Sequence, residues 1–201
     1  MKNYKKVLYV VDMVNGFVNE GIMHDEYIRN TIDEQVKLIK KFKKENQGVA
    51  LIKDNHKENC AEFNTFPKHC VIGTNEAELV DEIREYEEDS LVYEKNSTSA
   101  MFAKGLLEDL SKMVNLERVY VVGCCSDICV TNFAIPLVNY FDEHDLKVEV
   151  VTISDLIETY DAPYHPRDEY NEMANKLMKQ AGVKLYTSKE LGLEVKKNVR
   201  K

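Results

Sequence analysis

The chain has 201 residues, of which 44% are hydrophobic and 31% charged, which is enough apolar material for one domain spanning residues 1–201. Its net charge is −8 and its Lys and Arg residues form no dense block, so the composition argues against nucleic acid as a partner. The apolar stretches are far shorter than the roughly 20 residues that cross a bilayer. We therefore expect no membrane association.

The N-terminal stretch MKNYKK leads directly into an apolar run with no small-residue cleavage site, so we predict no signal peptide. Five cysteines, an odd number, argue against a disulfide framework. Free cysteines are typical of a reducing compartment, and we expect the protein to be cytoplasmic.

Apolar, β-branched runs alternate along the chain with segments of helical period. The runs predict strands at residues 7–14, 49–54, 90–95, 118–124, 147–154 and 183–188. The intervening segments predict helices at 27–45, 75–88, 103–114, 126–145 and 167–182, with Pro136 bending or dividing the fourth. Hydrophobic strands separated by helices are typical of a parallel sheet covered on both faces. The sequence therefore predicts an α/β fold, a three-layer α/β/α sandwich around a six-stranded parallel sheet.

Polar side chains stand at or just beyond the ends of four predicted strands. Asp12 lies within the first, Asp54 and Lys95 end the second and third, and Cys129 follows the fourth. Each alone is typical of a cap, a solvated charge or a small buried side chain. In an open parallel sheet, however, ligands bind outside the carboxyl ends of the strands, so we expect all four at one site.

The stretch VVGCCSDICV contains Cys124, Cys125 and Cys129, without the C-x-x-C spacing of zinc or thioredoxin-type sites. Ser126 is a candidate N-cap, which places Cys129 in the first helical turn. There the helix dipole and free backbone amides favour a thiolate and lower its pKa. We predict Cys129 as the nucleophile, with Asp12 to take its proton and Lys95 to favour the charged pair.

The longest predicted loop, residues 55–74, is polar and without period, which in a compact domain usually indicates function. Asp54 and His56 are two residues apart, and Glu62 and His69 lie just downstream. Two imidazoles with carboxylates suit zinc, iron or manganese, although a polar surface loop without metal has the same composition. His24, His144 and His165 lack such neighbours and stay unassigned.

Four motifs together resemble the nicotinamidase (pyrazinamidase) branch of the isochorismatase-like cysteine hydrolases. They are VVDMVNGF, KDNH with FPKHCVIGT, YEKNSTSAM and VVGCCSDICV. The resemblance implies a catalytic triad of Asp12, Lys95 and Cys129. It implies a metal ion, with zinc preferred to iron or manganese, and the ligands that it assigns are Asp54, His56, Glu62 and His69.

The resemblance also assigns the binding of substrate. It implies a cis peptide bond between Cys124 and Cys125 that turns the amides of Cys125 and Cys129 toward an oxyanion, and it places Phe17 and Phe66 beside the substrate ring. Phe66 stands where nicotinamidases commonly have Trp. The implied reaction is the hydrolysis of nicotinamide, a small-molecule amide, to nicotinic acid and ammonia in NAD salvage, with a metal-bound pyridine nitrogen. We also expect a homo-oligomer.

Two other interpretations are open. A cysteine amidohydrolase of the same superfamily that acts on carbamoyl or ureido substrates would typically lack the metal loop. A non-catalytic redox or ligand-binding protein that uses the Cys124/Cys125 pair would leave Asp12 and Lys95 unexplained. The sequence indicates no role for Cys60 or Cys70.

Overall fold

The computed structural model describes residues 3–193, and its strands form one sheet. The strands are β1 Lys6–Val11, β2 Gly48–Asp54, β3 Leu91–Lys95, β4 Arg118–Cys124, β5 Glu149–Glu158 and β6 Lys184–Tyr186. All neighbouring pairs are parallel, in the order β3-β2-β1-β4-β5-β6. The predicted α/β fold around a six-stranded parallel sheet is confirmed.

Helices cover both faces of this sheet. They are α1 Asn15–Val18, α2 Glu26–Arg29, α3 Ile32–Lys44, α4 Asp81–Arg84, α5 Leu106–Ser111, α6 Thr131–Glu143 and α7 Arg167–Gln180. Along β1, Val7 and Tyr9 belong to the apolar cluster formed with α5, α6 and α7, whereas Leu8 and Val10 belong to the cluster formed with α2 and α3. Alternate side chains of the strand thus enter two cores, one on each face. Within residues 3–193, no helix is long and apolar enough to cross a membrane.

The helix predicted over residues 75–88 is largely wrong. The chain forms a 3-10 turn at Asn75–Ala77 and the single turn of α4. Between them, Val80 N–H donates to the Met13 carbonyl (3.0 Å), and Asn15 N–H donates to the Glu78 carbonyl (2.8 Å). Because this long-range pairing uses the backbone groups that a helix would need, tertiary contacts override the helical pattern.

Two other predicted helices are shorter than their patterns. The segment 27–45 is divided into α2 and α3, and at the break the Thr31 hydroxyl donates to the Ile28 carbonyl (2.8 Å). A Thr side chain that bonds local backbone competes with the helical ladder. The segment 103–114 forms α5 only after Gly105, whose φ of +87° is left-handed and therefore not helical.

Pro136 does not divide its helix. The π-helical turn Ser126–Val130 continues directly into α6, which includes Pro136. A proline leaves the carbonyl four residues earlier without its helical donor. Here that carbonyl belongs to Asn132, and it accepts a hydrogen bond from the Ser99 hydroxyl (2.7 Å). The helix therefore continues through Pro136 with this carbonyl satisfied.

The topology creates a crevice between β1 and β4. The chain builds β2 and β3 on one side of β1 and then crosses to β4 on the other, which makes this the switch point of the sheet. Gly123 has a φ of +118°, and a Cβ there would lie 2.0 Å from the Val11 carbonyl oxygen. The glycine thus allows the ends of β1 and β4 to approach each other closely at the residues that follow them.

Candidate active site

The four polar residues predicted at the strand ends do meet at one site. Asp12 follows β1, with a φ of +54° and its N–H bonded to the Ile52 carbonyl (2.9 Å). Asp54 and Lys95 are register partners at the ends of β2 and β3. Cys129 lies in the π-helical turn after β4. All four are buried, so their contacts with one another determine their charge states.

Lys95 is the centre of this group. Its Nζ lies 2.8 Å from Asp12 Oδ2 and 3.5 Å from Cys129 Sγ, and it also pairs with Asp54 Oδ1. Burial alone would lower the pKa of Lys95, but the charges of Asp12 and Asp54 raise it well above its ordinary value. Lys95 is therefore a buried ammonium within reach of the thiol and both carboxylates.

The two carboxylates differ in their affinity for a proton. Burial and the charge of Asp54 raise the pKa of Asp12 to about 7, even though Lys95 opposes them. Burial would also raise the pKa of Asp54, but Lys95 and the imidazoles of His56 and His69 hold it well below its ordinary value. Asp12 Oδ1 has no hydrogen-bond partner among residues 3–193. Asp12 is thus the carboxylate poised to accept and release a proton.

Two expectations about the cysteine turn are wrong. Ser126 is not the N-cap: it is the first residue of the π-helical turn, and its hydroxyl bonds to Asn171 Oδ1 (2.5 Å). The pKa of Cys129 is raised rather than lowered, because burial and the carboxylates of Asp12 and Asp54 outweigh Lys95. The resting Cys129 is accordingly a neutral thiol that needs a base, and Asp12 stands beside it.

The other two cysteines of the motif have different surroundings. The peptide bond between Cys124 and Cys125 is cis. The Cys124 thiol is buried and donates to the Asp12 carbonyl (3.2 Å), so it supports the backbone at the end of β1. Cys125 lines the cavity beside Cys129. All five cysteines of the chain are free and buried.

The predicted metal ligands converge directly beside this group. Asp54, His56, Glu62 and His69 each direct one ligand atom into a space where these atoms lie within 4.8 Å of one another. His56 Nε2 is 3.3 Å from Asp54 Oδ1 and 3.6 Å from Glu62 Oε1, and His69 Nε2 is 3.7 Å from Asp54 Oδ2. Two imidazoles and two carboxylates are ligand types that zinc, iron and manganese accept.

The imidazoles are oriented as metal-binding imidazoles are. His69 Nδ1–H donates to the Pro67 carbonyl (2.7 Å), which leaves Nε2 to face the carboxylates. The Cys60 thiol donates to the Asn96 carbonyl (3.3 Å), so its sulfur can accept from His56 Nδ1–H (3.5 Å). This is a role for Cys60 that the sequence did not indicate.

The cluster also attracts positive charge. Burial lowers the pKa of His69, but the hydrogen bond and charge of Asp54 and the charge of Glu62 outweigh it and leave the pKa raised. His56 Nε2 and Asp54 Oδ2 are buried without hydrogen-bond partners in the described part of the chain. A divalent cation would satisfy both atoms, so the residues present fit a metal ion.

A narrow cavity opens onto the thiol and the metal-binding cluster. The two predicted aromatic residues, Phe17 and Phe66, line it, and the Phe17 ring lies 5.4 Å from that of His69. Met23 and Ile128 complete its apolar wall. Neither was predicted, because nothing in the pattern of residues 19–25 marks Met23 and Ile128 reads as an ordinary helical apolar residue.

The chain resembles known proteins along nearly its full length. Residues 6–190 match the isochorismatase domain. Nicotinamidase 1 of Arabidopsis thaliana is 30% identical over 205 residues, which cover 94% of this chain and 84% of that protein. The structure of the Pyrococcus horikoshii pyrazinamidase in complex with zinc matches with a TM-score of 0.73 and 25% identity, covering 91% of this chain and 99% of that one. The nicotinamidase/pyrazinamidase PncA of Bacillus subtilis matches with a TM-score of 0.77 and 25% identity, covering 90% and 99%.

Proposed function

Because the chain belongs to the isochorismatase family, as its motifs predict, we propose that it is an amidohydrolase that converts nicotinamide to nicotinic acid and ammonia. The nicotinamidase and pyrazinamidase relatives support a hydrolase of carboxamide C–N bonds. One observation carries the assignment: Lys95 Nζ lies 2.8 Å from Asp12 and 3.5 Å from Cys129 and is paired with Asp54, which belongs to the metal-binding cluster.

Cys129 is the proposed nucleophile. Asp12 takes the thiol proton, and the ammonium of Lys95 stabilises the thiolate that remains. The sulfur then attacks the carboxamide carbon, and the amides of Cys125 and Cys129 stabilise the resulting oxyanion. Asp12 passes the proton to the leaving nitrogen, so that ammonia departs and a thioester is left on Cys129. Water, deprotonated by Asp12, hydrolyses the thioester and restores the thiol.

The substrate ring is proposed to lie in the cavity between Phe17 and Phe66, with its carboxamide toward Cys129. A divalent metal ion, with zinc the first candidate, is proposed to be held by Asp54, His56, Glu62 and His69. When bound, it would supply a Lewis-acidic partner for the ring nitrogen. The side chains of Phe17 and Phe66 form the aromatic walls of the cavity, and Cys129 supplies the thiol.

Ammonia release from a small panel of amides tests the proposal. The panel contains nicotinamide, pyrazinamide, benzamide and an N-carbamoyl amino acid, each assayed with the wild-type protein and with Cys129→Ala prepared in parallel. We expect the wild-type protein to hydrolyse nicotinamide and pyrazinamide only, and Cys129→Ala to hydrolyse none of the four compounds. Turnover of the N-carbamoyl compound without that of nicotinamide would instead establish the carbamoyl-type alternative.

A further inference from the structure

His165 forms an aromatic stack beside the active site. It lies between β5 and α7, is 4% exposed, and was left unassigned by the sequence. Its ring is sandwiched between Tyr160, at a centroid distance of 3.9 Å and an interplanar angle of 11°, and Tyr170, at 3.6 Å and 27°. Two aromatic faces against one imidazole fix the plane of the ring.

Both nitrogens of this ring face hydrogen-bond acceptors. Nε2 lies 2.9 Å from Asp127 Oδ2, and Nδ1 lies 3.0 Å from the Tyr160 carbonyl. These two contacts tie the His165 ring to the Tyr160 backbone and to a side chain 38 positions earlier in the sequence.

Asp127 connects this pair to the nucleophile. It belongs to the π-helical turn Ser126–Val130, two residues before Cys129, and its side chain is 7% exposed. Its Oδ1 is buried without a hydrogen-bond partner among residues 3–193, so the contact of Oδ2 with His165 is what holds this side chain in place. The same turn is fixed at its start by the Ser126 hydroxyl, which bonds to Asn171 of α7 (2.5 Å). Two contacts from outside the turn thus set its place over the cavity.

We propose that His165 is a positioning residue that holds the nucleophile turn through Asp127. This inference rests on the proposed function and adds a residue that acts on Cys129 without touching the substrate. The sulfur of Cys129 must stay near Lys95, at 3.5 Å, and near the bound carboxamide. A displacement of about 1 Å in such a group can lower the rate about 100-fold, so movement of the turn that carries Cys129 would slow the reaction.

The test replaces the hydrogen bonds and keeps the stack. His165→Phe preserves an aromatic ring between the two tyrosines but removes both nitrogens that contact Asp127 and the Tyr160 carbonyl. His144→Phe is the matched control, because the His144 ring also lies against a tyrosine ring, 4.4 Å from that of Tyr140 and tilted by 35°, and bonds to the Tyr140 carbonyl (2.8 Å), but it is exposed just after α6. We expect His165→Phe to lower kcat about tenfold or more with KM within twofold, and the control to leave both unchanged.

Asp127→Asn provides a variant of unchanged size in case His165→Phe folds poorly. We expect it to lower kcat several-fold, and the double variant to be no worse than His165→Phe alone, because the two side chains act as one unit. Losses that multiply in the double variant would overturn the proposal. A wild-type kcat per folded enzyme in His165→Phe, with only a lower unfolding temperature, would also overturn it.

The rate at which iodoacetamide alkylates Cys129 provides a readout without substrate. We expect His165→Phe to change this rate at least threefold, because the sulfur moves relative to Lys95, and His144→Phe to leave it as in the wild type. If the wild type hydrolyses no amide, the proposed function fails, but the alkylation rates still test the positioning. Equal alkylation rates in all three proteins would overturn it.

Discussion

The ammonium of Lys95 pairs with the carboxylate of Asp54, and this contact joins the nucleophile group to the metal-binding cluster. Asp54 Oδ1 also lies 3.3 Å from His56 Nε2, so a single carboxylate belongs to both halves of the site. A change at Asp54 should consequently disturb both halves. A change at Cys129 or His69 should disturb one half only, which makes these residues the better probes.

The first prediction concerns the nucleophile. Cys129→Ala should lower turnover by about 10⁴-fold or more, because the sulfur that forms the thioester is gone. Binding of nicotinic acid should persist, since the aromatic walls and the metal ligands are intact. Calorimetry and an ammonia assay measure the two effects. Substantial turnover by the variant would exclude Cys129 as the nucleophile.

The second prediction concerns the proton carrier and its cation. Asp12→Asn keeps the size of the side chain but cannot take the thiol proton, so kcat should fall about 10²–10⁴-fold. Lys95→Ala should be similarly damaging, and Lys95→Arg should not restore turnover because the planar guanidinium differs in shape from an ammonium.

The control for Lys95 is another buried lysine. Lys53 is 6% exposed and pairs with Glu78 at 3.4 Å and Glu87 at 3.5 Å, away from the nucleophile. Lys53→Ala should lower the unfolding temperature, because it leaves Glu78 and Glu87 without their buried partner, but it should keep kcat within about twofold, since neither glutamate belongs to the site. Near-normal kcat in Asp12→Asn would contradict the mechanism.

Features of this protein that depend on local interactions can be predicted from the sequence, whereas those that depend on contacts between distant segments cannot. The strands and the residues that end them follow from local apolar runs and from the rule that parallel strands place ligands at their carboxyl ends. The helix predicted over residues 75–88 was wrong because the backbone there pairs with residues 13–15, and no local pattern indicates this pairing. The pKa of Cys129 was mispredicted because its place in a helical turn says nothing of the buried carboxylates around it.

Other contacts between distant segments could not be predicted from local sequence patterns either. His165 could not be assigned from its own segment, because its partner Asp127 lies 38 positions earlier. The four metal ligands were candidates from their spacing and chemistry and were assigned by a resemblance. Their meeting depends on the loop after β2, where a 3-10 turn at Ala61–Asn64 and a bridge between His56 and Val71 bring Glu62 and His69 back to Asp54.

The third prediction concerns the crevice between β1 and β4. Gly123→Ala should destabilise the protein by about 4 kcal/mol or more, since its Cβ would lie 2.0 Å from the Val11 carbonyl oxygen at a φ of +118°. Gly73→Ala is the control, because Gly73 also has a positive φ, +79°, but open space around it. It should cost about 1–2 kcal/mol from backbone conformation alone. Urea denaturation of both variants measures the difference, and equal losses would contradict the close approach of the strands.

The last prediction separates the metal from the thiol chemistry. Removal of the ion by a chelator should raise KM steeply for nicotinamide and pyrazinamide, and His69→Ala should reproduce this effect because Nε2 of His69 is one of the four predicted ligands. Benzamide, which lacks the ring nitrogen, should be a poor substrate with or without the ion.

Alkylation of Cys129 should change little in His69→Ala, since none of the contacts described for His69 reaches the sulfur. His144→Ala, at an exposed histidine just after α6, is the control and should behave as the wild type. Elemental analysis of the purified protein should find about one transition metal ion per chain. Full activity without metal, and without any response to chelator or to His69→Ala, would move the assignment to an amidohydrolase of carbamoyl or ureido substrates.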